Sequence, residues 1–163
     1  MYYEKIFRAC QKRRIQYLVV GGVAVNLHGY PRATGDLDLM LASNQTNLKR
    51  FVAMIKSLGW RPRLPVPLED FANDQIRQKW IHQKNMKVFS VFNPKDPIEH
   101  IDILTESYLN FKKAYQRRSR LRVGDLRLSV ASIPDLIKLK QISARERDII
   151  DIKALKTLQR LKK

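Results

Sequence analysis

The sequence predicts an α/β (α+β) fold, in which a short mixed β-sheet is flanked by helices and followed by C-terminal helices. Apolar residues recur at helical spacing in several segments, and short runs rich in β-branched residues alternate with these segments. The chain has 163 residues, of which 44% are hydrophobic, so it is able to bury a core. We therefore expect a single domain over residues 1–163, with residues 131–163 as its C-terminal helical portion.

The first forty residues predict a helix, a strand, a short helix and a second strand. Apolar spacing indicates an amphipathic helix over residues 3–14. The apolar run 16–20 ends at two glycines, which predicts a buried strand followed by a tight turn. A brief helix over residues 23–28 comes next, and the polar–apolar alternation at the start of residues 36–41 predicts the second strand.

The middle of the chain predicts a capped helix and a hairpin. Asn44, or the serine before it, caps a helix that ends at Gly59. Three prolines between residues 62 and 67 indicate a loop or an edge strand. The segments 76–82 and 86–92 flank a Lys-Asn pair, and we expect them to form a β-hairpin.

The last third predicts a strand, a helix, a hairpin and two closing helices. A strand over residues 98–104 follows a proline-containing turn, and a helix is expected over residues 107–118. Residues 121–130 predict a hairpin about a Gly-Asp pair. Ser132, with proline in the first turn, opens the next helix, and residues 145–161 form the last.

The composition is strongly basic, with 32 Lys and Arg against 15 Asp and Glu and a formal net charge of +17. Such a surplus favours polyanionic partners, because cationic side chains displace counterions from phosphate backbones. The surplus is densest over residues 111–127, although solvated faces that keep the protein soluble are an alternative explanation. The candidate nucleic-acid-binding residues are Lys112, Lys113, Arg117, Arg118, Arg120 and Arg122.

Several classes of function are disfavoured by what the sequence lacks. A single cysteine excludes an intramolecular disulfide, and three scattered histidines give no zinc-ligand spacing. No Gly-x-Ser-x-Gly motif indicates a serine nucleophile. No apolar run approaches the roughly 18 residues of a membrane span, so we expect a cytoplasmic protein without membrane contact.

Asp36 and Asp38 form the most informative pair. Residues two apart in a strand project to one face, so these carboxylates repel each other unless a cation such as Mg²⁺ lies between them. Gly21 and Gly22, thirteen residues earlier, supply a turn whose N–H groups are able to hold phosphate oxygens. Considered alone, the two glycines are explained equally well by an ordinary turn between a strand and a helix, and the two aspartates by charges on an exposed strand edge. Together they predict a site for a metal-bound nucleoside triphosphate.

Asp102 is the candidate third carboxylate, for a second metal or for the proton of an attacking hydroxyl. It lies between two isoleucines that would face the core, so its side chain is expected on the opposite face, toward the other two aspartates. Glu99 is the reserve candidate. A polar residue on the solvent face of a half-buried strand is the alternative explanation of Asp102.

These residues resemble a known family. The pattern of residues 19–24 and 32–39, with the later strand aspartate, is similar to the polymerase β-like nucleotidyltransferase superfamily. It is closest to the small bacterial branch that includes AbiEii-type toxins of abortive-infection and toxin–antitoxin systems, as are the closing segments 135–140 and 145–152. The resemblance covers residues 17 to about 155, least in 60–95.

The resemblance implies roles for seven residues. Asp36, Asp38 and Asp102 would be the catalytic residues and would hold Mg²⁺ or Mn²⁺. The β- and γ-phosphates would lie against Gly21 and Gly22, although much of the superfamily has serine at the second of these positions. Arg32 and Lys140 match basic positions of the branch and would contact the nucleotide. For Lys140 the alternative is an ion pair with Asp148.

The predicted function is therefore transfer of a nucleoside monophosphate from an NTP, ATP among them, to an acceptor hydroxyl. The acceptor would be an RNA, such as a tRNA 3′ end, or a partner protein in a toxin–antitoxin pair. The alternative is an inactive nucleic-acid-binding module on the same scaffold.

Overall fold

A seven-stranded mixed β-sheet forms the centre of the protein, in a computed structural model that describes residues 3–161. The predicted domain also includes residues 1, 2, 162 and 163, which lie outside the described part. The strands are β1 (Tyr17–Val20), β2 (Leu37–Leu41), β3 (Arg61–Pro62), β4 (Val88–Asn93), β5 (Asp96–Leu104), β6 (Ser119–Val123) and β7 (Leu126–Val130). They lie side by side in the order β3-β4-β5-β2-β1-β7-β6.

Helices connect the strands, which confirms the predicted class. They are α1 (Glu4–Lys12), α2 (Gly21–Leu27), α3 (Gln45–Ser57), α4 (Asp74–Lys84), α5 (Phe111–Gln116), α6 (Ile133–Ser143) and α7 (Glu146–Leu161), with a 3₁₀ turn at Leu68–Ala72. Two predicted caps form: Asn44 accepts a hydrogen bond from the amide of Asn47, and Ser132 from that of Asp135. Among the described helices, none has the length and apolar character needed to cross a bilayer.

The central strands are buried because their apolar side chains meet the helices. Leu37, Leu39, Ile101 and Ile103 have no exposed surface. An aromatic group continues this core on the β4 side, where the Phe89 ring stacks 4.8 Å from Phe71 and 5.4 Å from Trp80. Burial of side chains of this size contributes roughly 2 kcal/mol each, so the sheet is a firm support for polar residues on its strand ends.

The strand register brings the acidic positions together. β1 is antiparallel to β2, with Val20 opposite Asp38, and β2 is parallel to β5, with Asp38 opposite Asp102. Residues directly opposite each other share a face of the sheet. Asp38 and Asp102 therefore lie side by side on neighbouring strands.

The hairpin expected from segments 76–82 and 86–92 was wrong, because the first segment is helix α4. Asn73 caps this helix by accepting from the amide of Ile76, and Asn85 ends it with φ +48°. Ile76 and Trp80 are four residues apart, which is helical spacing. The hairpin of this region is instead β4–β5, with its turn between Asn93 and Asp96.

Candidate active site

Three carboxylates converge where the start of β2 pairs with the second half of β5. Asp36 immediately precedes β2, Asp38 lies within it, and Asp102 lies in β5. Burial, followed by the charges of Asp102 and Asp36, raises the pKa of Asp38 to about 6. Asp102 points away from the core because its neighbours Ile101 and Ile103 fill it. The structure thus brings together the three acidic residues singled out in the sequence, here called the carboxylate cluster.

His100 belongs to the same cluster, although the sequence analysis treated it as a scattered histidine. Its Nε2 atom lies 3.0 Å from Oδ1 of Asp36. One ligand atom each from Asp36, His100 and Asp102 lie within 4.8 Å of one another, close enough to share a metal ion. The sequence does contain one indication of this. His100 is two residues before Asp102 in a strand, so the two side chains face the same way.

Neighbouring polar groups hold the β5 side of the cluster in place. Ser90, opposite Asp102 in the register, donates to Oδ1 of Asp102 at 2.5 Å. Glu99, the reserve candidate, instead accepts from the side-chain amide of Asn93 at 2.6 Å. Asp102 is therefore the β5 carboxylate that shares the face of Asp38.

Gly21 and Gly22 bring the start of α2 against the carboxylate cluster. Gly21 has φ +63°, and a Cβ atom there would lie 2.6 Å from Cγ of Asp38. A Cβ on Gly22 would lie 2.5 Å from Oγ1 of Thr34 and 3.1 Å from Cζ of Arg32. Side chains at either position would displace these neighbours, so the bare backbone of the turn lies directly against this part of the site.

Arg32 lies over the glycine turn and is fixed from two sides. Its Nη1 atom donates to Oδ2 of Asp151 at 2.8 Å, and the side-chain amide of Asn26 bonds both its N–H and its carbonyl. The segment that leads into Asp36 is thereby attached to α2 and α7. The proximity of Arg32 to Gly22 agrees with its predicted contact with phosphate, which stays a prediction.

Lys140 is buried between two aspartates of α7. Its Nζ atom donates to Asp148 at 3.0 Å and to Asp151 at 2.6 Å. Although burial acts to raise it, hydrogen bonds from Ser143 and Lys140 hold the pKa of Asp148 below its usual value. The alternative pairing of Lys140 with Asp148 is thus present in the structure, and a contact of Lys140 with the nucleotide stays a prediction.

A cleft of about 500 Å³ opens beside Asp38 and Gly21. Lys87 and Arg145 line it with positive charge that suits phosphate groups, whereas the ammonium of Lys140, also in its lining, is paired with Asp148 and Asp151. Asp38, Asp148 and Ser143 also line the cleft, and apolar and aromatic side chains form much of the remaining wall, as is typical of sites that enclose a planar base. They include Leu104, Tyr108, Leu136 and Leu139.

The basic residues singled out between 112 and 122 lie on α5, on β6 and between them. Two are engaged within the fold: Arg117 donates to Asp135 at 2.5 and 2.7 Å, and Arg118 donates to the Tyr115 carbonyl and stacks 3.6 Å from its ring. Arg117 is nevertheless exposed, as are Lys112, Lys113, Arg120 and Arg122. β6 is the sheet edge, separated from β2 by β7 and β1.

A family model described as "nucleotidyltransferase of unknown function (DUF6036)" matches residues 4–162. No curated protein matches the sequence significantly. The match supports the nucleotidyltransferase superfamily, whereas membership of the AbiEii-type branch stays a prediction.

Solved structures of adenylyltransferases share the fold. The crystal structure of the lincosamide antibiotic adenylyltransferase LnuA with lincomycin bound is 15% identical with a TM-score of 0.62, covering 96% of both chains. The solution structure of the antibiotic-resistance factor ANT(2'')-Ia is 14% identical with a TM-score of 0.61, covering 96% of this chain and 81% of that one. A nucleotidyltransferase-like protein from Paracoccidioides brasiliensis is 16% identical with a TM-score of 0.59, over 93% and 72%.

Proposed function

The chain belongs to the DUF6036 family of nucleotidyltransferases, and we propose that it transfers a nucleoside monophosphate from a nucleoside triphosphate to an acceptor hydroxyl, releasing pyrophosphate. The observation that carries this proposal is the carboxylate cluster beside a turn in which Gly21 leaves no room for a side chain. Paired acids next to a turn whose backbone comes this close suit a metal-bound triphosphate.

The donor set of the site fits a divalent cation. The raised pKa of Asp38 reflects burial among like charges, a situation that a bound cation relieves. Asp36, Asp38 and Asp102 would hold Mg²⁺ or Mn²⁺, and the imidazole of His100 offers a nitrogen that Mn²⁺ accepts more readily than Mg²⁺ does. Bound there, the cation would neutralise charge that develops on the triphosphate.

The chain's own groups bind the nucleotide and move one proton. The N–H groups at Gly21 and Gly22 bind the β- and γ-phosphate oxygens, and Arg32 neutralises part of their charge from above the turn. The base lies against the apolar wall of the cleft. Asp102, held by Ser90, accepts the proton of the acceptor hydroxyl. The hydroxyl oxygen attacks the α-phosphorus at the same time, and pyrophosphate leaves.

The acceptor is where this chain departs from the solved structures of similar fold. LnuA was solved with lincomycin, and ANT(2")-Ia with adenylyl-2"-tobramycin, so those proteins carry antibiotic ligands. A net charge of +17 instead favours a polyanionic acceptor, and we propose an RNA, such as the 3′ end of a tRNA. The resemblance to AbiEii-type proteins leaves a partner protein of a toxin–antitoxin pair as the second candidate acceptor.

Transfer is tested with labelled NTPs, Mg²⁺ and total RNA. The wild-type protein should label RNA, and the Asp36→Ala/Asp38→Ala variant should not. Asp96→Ala, at the first residue of β5, is the matched control and should label normally. Equal labelling by the wild type and the double variant would contradict the proposal.

An inactive nucleic-acid-binding module is the alternative, favoured by glycine in place of serine at position 22. A thermal-shift measurement separates the two functions. Mg²⁺ with NTP raises the melting temperature if the site binds nucleotide, because the ligand stabilises the folded state. No shift at millimolar nucleotide, with salt-sensitive RNA binding, would favour the inactive module.

A further inference from the structure

The β6–β7 hairpin carries three arginines on one face. Its register places Arg122 opposite Arg127 and Arg120 opposite Ser129. Opposite residues share a face, and the other face of β7 is filled by Leu126, Leu128 and Val130, which are buried. The three arginines, here called the cationic face, therefore project away from that part of the core.

The cationic face lies on the same side of the sheet as the carboxylate cluster. Val130 of β7 is the partner of Val19 in β1, so Arg127, three residues before Val130, shares a side with Val20. Val20 is opposite Asp38. Three strand spacings of about 4.8 Å separate β6 from β2, roughly 14 Å across the sheet, and Arg127 is also displaced from the level of Asp38 by four residues, about 13 Å along the strands.

The charges of the cationic face are only weakly compensated within the protein, because the charge of Asp125 acts on Arg122 without forming an ion pair with it. Asp125 is the one acidic residue between positions 111 and 127, and both of its oxygens accept hydrogen bonds from Arg8, at 2.6 and 2.8 Å. Among the described residues, the three arginines form no ion pair with a carboxylate. Like charges directly opposite each other in a sheet are destabilising, so this hairpin is suited to an anionic ligand.

The ligand has to present several negative charges at intervals across the hairpin. A phosphodiester strand does so, and guanidinium groups bind phosphate oxygens in bidentate fashion. A ribose end also offers two vicinal hydroxyls as acceptors, where a deoxyribose end offers one. We propose that the cationic face binds the backbone of a single-stranded RNA whose end reaches the carboxylate cluster; the second half of this proposal rests on the proposed function.

The binding step is tested without NTP, so that it is independent of catalysis. Fluorescence anisotropy of a labelled single-stranded oligoribonucleotide is followed over a range of salt concentrations. The Arg120→Gln/Arg122→Gln/Arg127→Gln variant should bind at least about 10-fold more weakly, and the slope of log K against log salt should fall by about 2, since each phosphate contact contributes roughly 0.7.

The matched control removes the same number of charges elsewhere. Lys49, Arg50 and Lys79 are exposed on α3 and α4, and their replacement by Gln should change affinity less than twofold. Equal weakening by both triple variants would overturn the cationic face as the binding surface, as would unchanged binding by the first. Because the case for RNA rests on the hydroxyls of the acceptor end, labelling of the matching deoxyoligonucleotide as efficiently as of the RNA would overturn the assignment to RNA.

Transfer to the same oligonucleotide tests the second half. The cationic-face variant should raise the KM for RNA with little change in kcat, because the arginines are remote from the reacting atoms. Unchanged KM would overturn the route from this face to the site. If the wild type labels no acceptor, the proposed function fails, whereas the binding results still decide whether the cationic face holds RNA.

Discussion

Gly21 and Asp38 are packed so closely that one added methyl group on the glycine would overlap the carboxylate. A Cβ atom at Gly21 would lie 2.6 Å from Cγ of Asp38, and the backbone there has φ +63°. The turn and the carboxylate cluster are therefore a single unit, and the glycine is required by both conformation and space.

Gly21→Ala should abolish transfer and destabilise the fold. The left-handed backbone and the overlap together cost roughly 2–5 kcal/mol, and a displacement of Asp38 by about 1 Å is able to reduce the rate 100-fold. Gly59→Ala is the control: it also has positive φ, at +72°, but its Cβ would meet nothing within 4 Å. Urea unfolding and transfer assays on both variants test this, and full activity in Gly21→Ala would contradict it.

Asp38→Asn should stabilise the metal-free protein at neutral pH. The pKa of Asp38 is about 6 in the folded state against an ordinary value of 3.8. The folded state holds this proton more tightly than the unfolded state does. The contribution of Asp38 to the free energy of unfolding is therefore full below about pH 4 and falls by about 3 kcal/mol as the pH rises through 6. The stability difference between variant and wild type should therefore grow between pH 4 and pH 7.

Chemical unfolding at a series of pH values in EDTA measures this difference. Subtracting the wild-type curve removes the contribution of carboxylates with lowered pKa, such as Asp148, which has the opposite sign. If the difference in unfolding free energy between the variant and the wild type did not vary with pH, the pKa of Asp38 would not be raised by its surroundings. Transfer activity of the variant should be lost, since stability and function oppose each other at this residue.

Lys140→Met should lower the free energy of unfolding by about 3–5 kcal/mol. Removing the ammonium leaves Asp148 and Asp151 buried without their shared cation. Lys138→Met, at an exposed position of the same helix, should change stability by less than about 0.5 kcal/mol. Denaturant titrations compare the two, and equal effects would mean that the buried ion pairs contribute little.

His100→Ala should weaken Mn²⁺ binding by about 10-fold, because His100 either orients Asp36 through its 3.0 Å contact or coordinates the ion directly. His82→Ala is the control, since His82 is exposed and bonded to Gln78. Isothermal titration with Mn²⁺ gives both affinities. An unchanged affinity for His100→Ala would remove His100 from the site.

Predictions from the sequence are correct where a short-range pattern decides the structure. The caps at Asn44 and Ser132 and the hairpin about Gly124 depend on neighbours a few residues away, and they form as predicted. The prediction is wrong at α4. This segment has few apolar residues, so their spacing does not show whether it forms a helix or a strand. That helix depends on Trp80 stacking against Phe89, a tertiary contact.

The residues of the candidate site also fall into two groups, those that a local sequence pattern predicts and those that only the folded structure brings together. Asp36 and Asp38 are recognisable from their spacing, and Asp102 from the isoleucines around it, because alternation along a strand is local. His100 shares that alternation, yet its partner Asp36 lies in another segment. The bond of Arg32 with Asp151 joins positions 119 residues apart, and no spacing rule anticipates it.

Local periodicity, turn chemistry and composition thus establish the fold class, the acidic residues, the glycine turn and the excess of positive charge. Strand order and register decide the rest: which carboxylates meet, which lysine is bound within the protein, and which arginines share a side with the aspartates. The reason is that hydrogen bonding between strands and burial of charge are long-range effects, set by segments that become neighbours only when the chain folds.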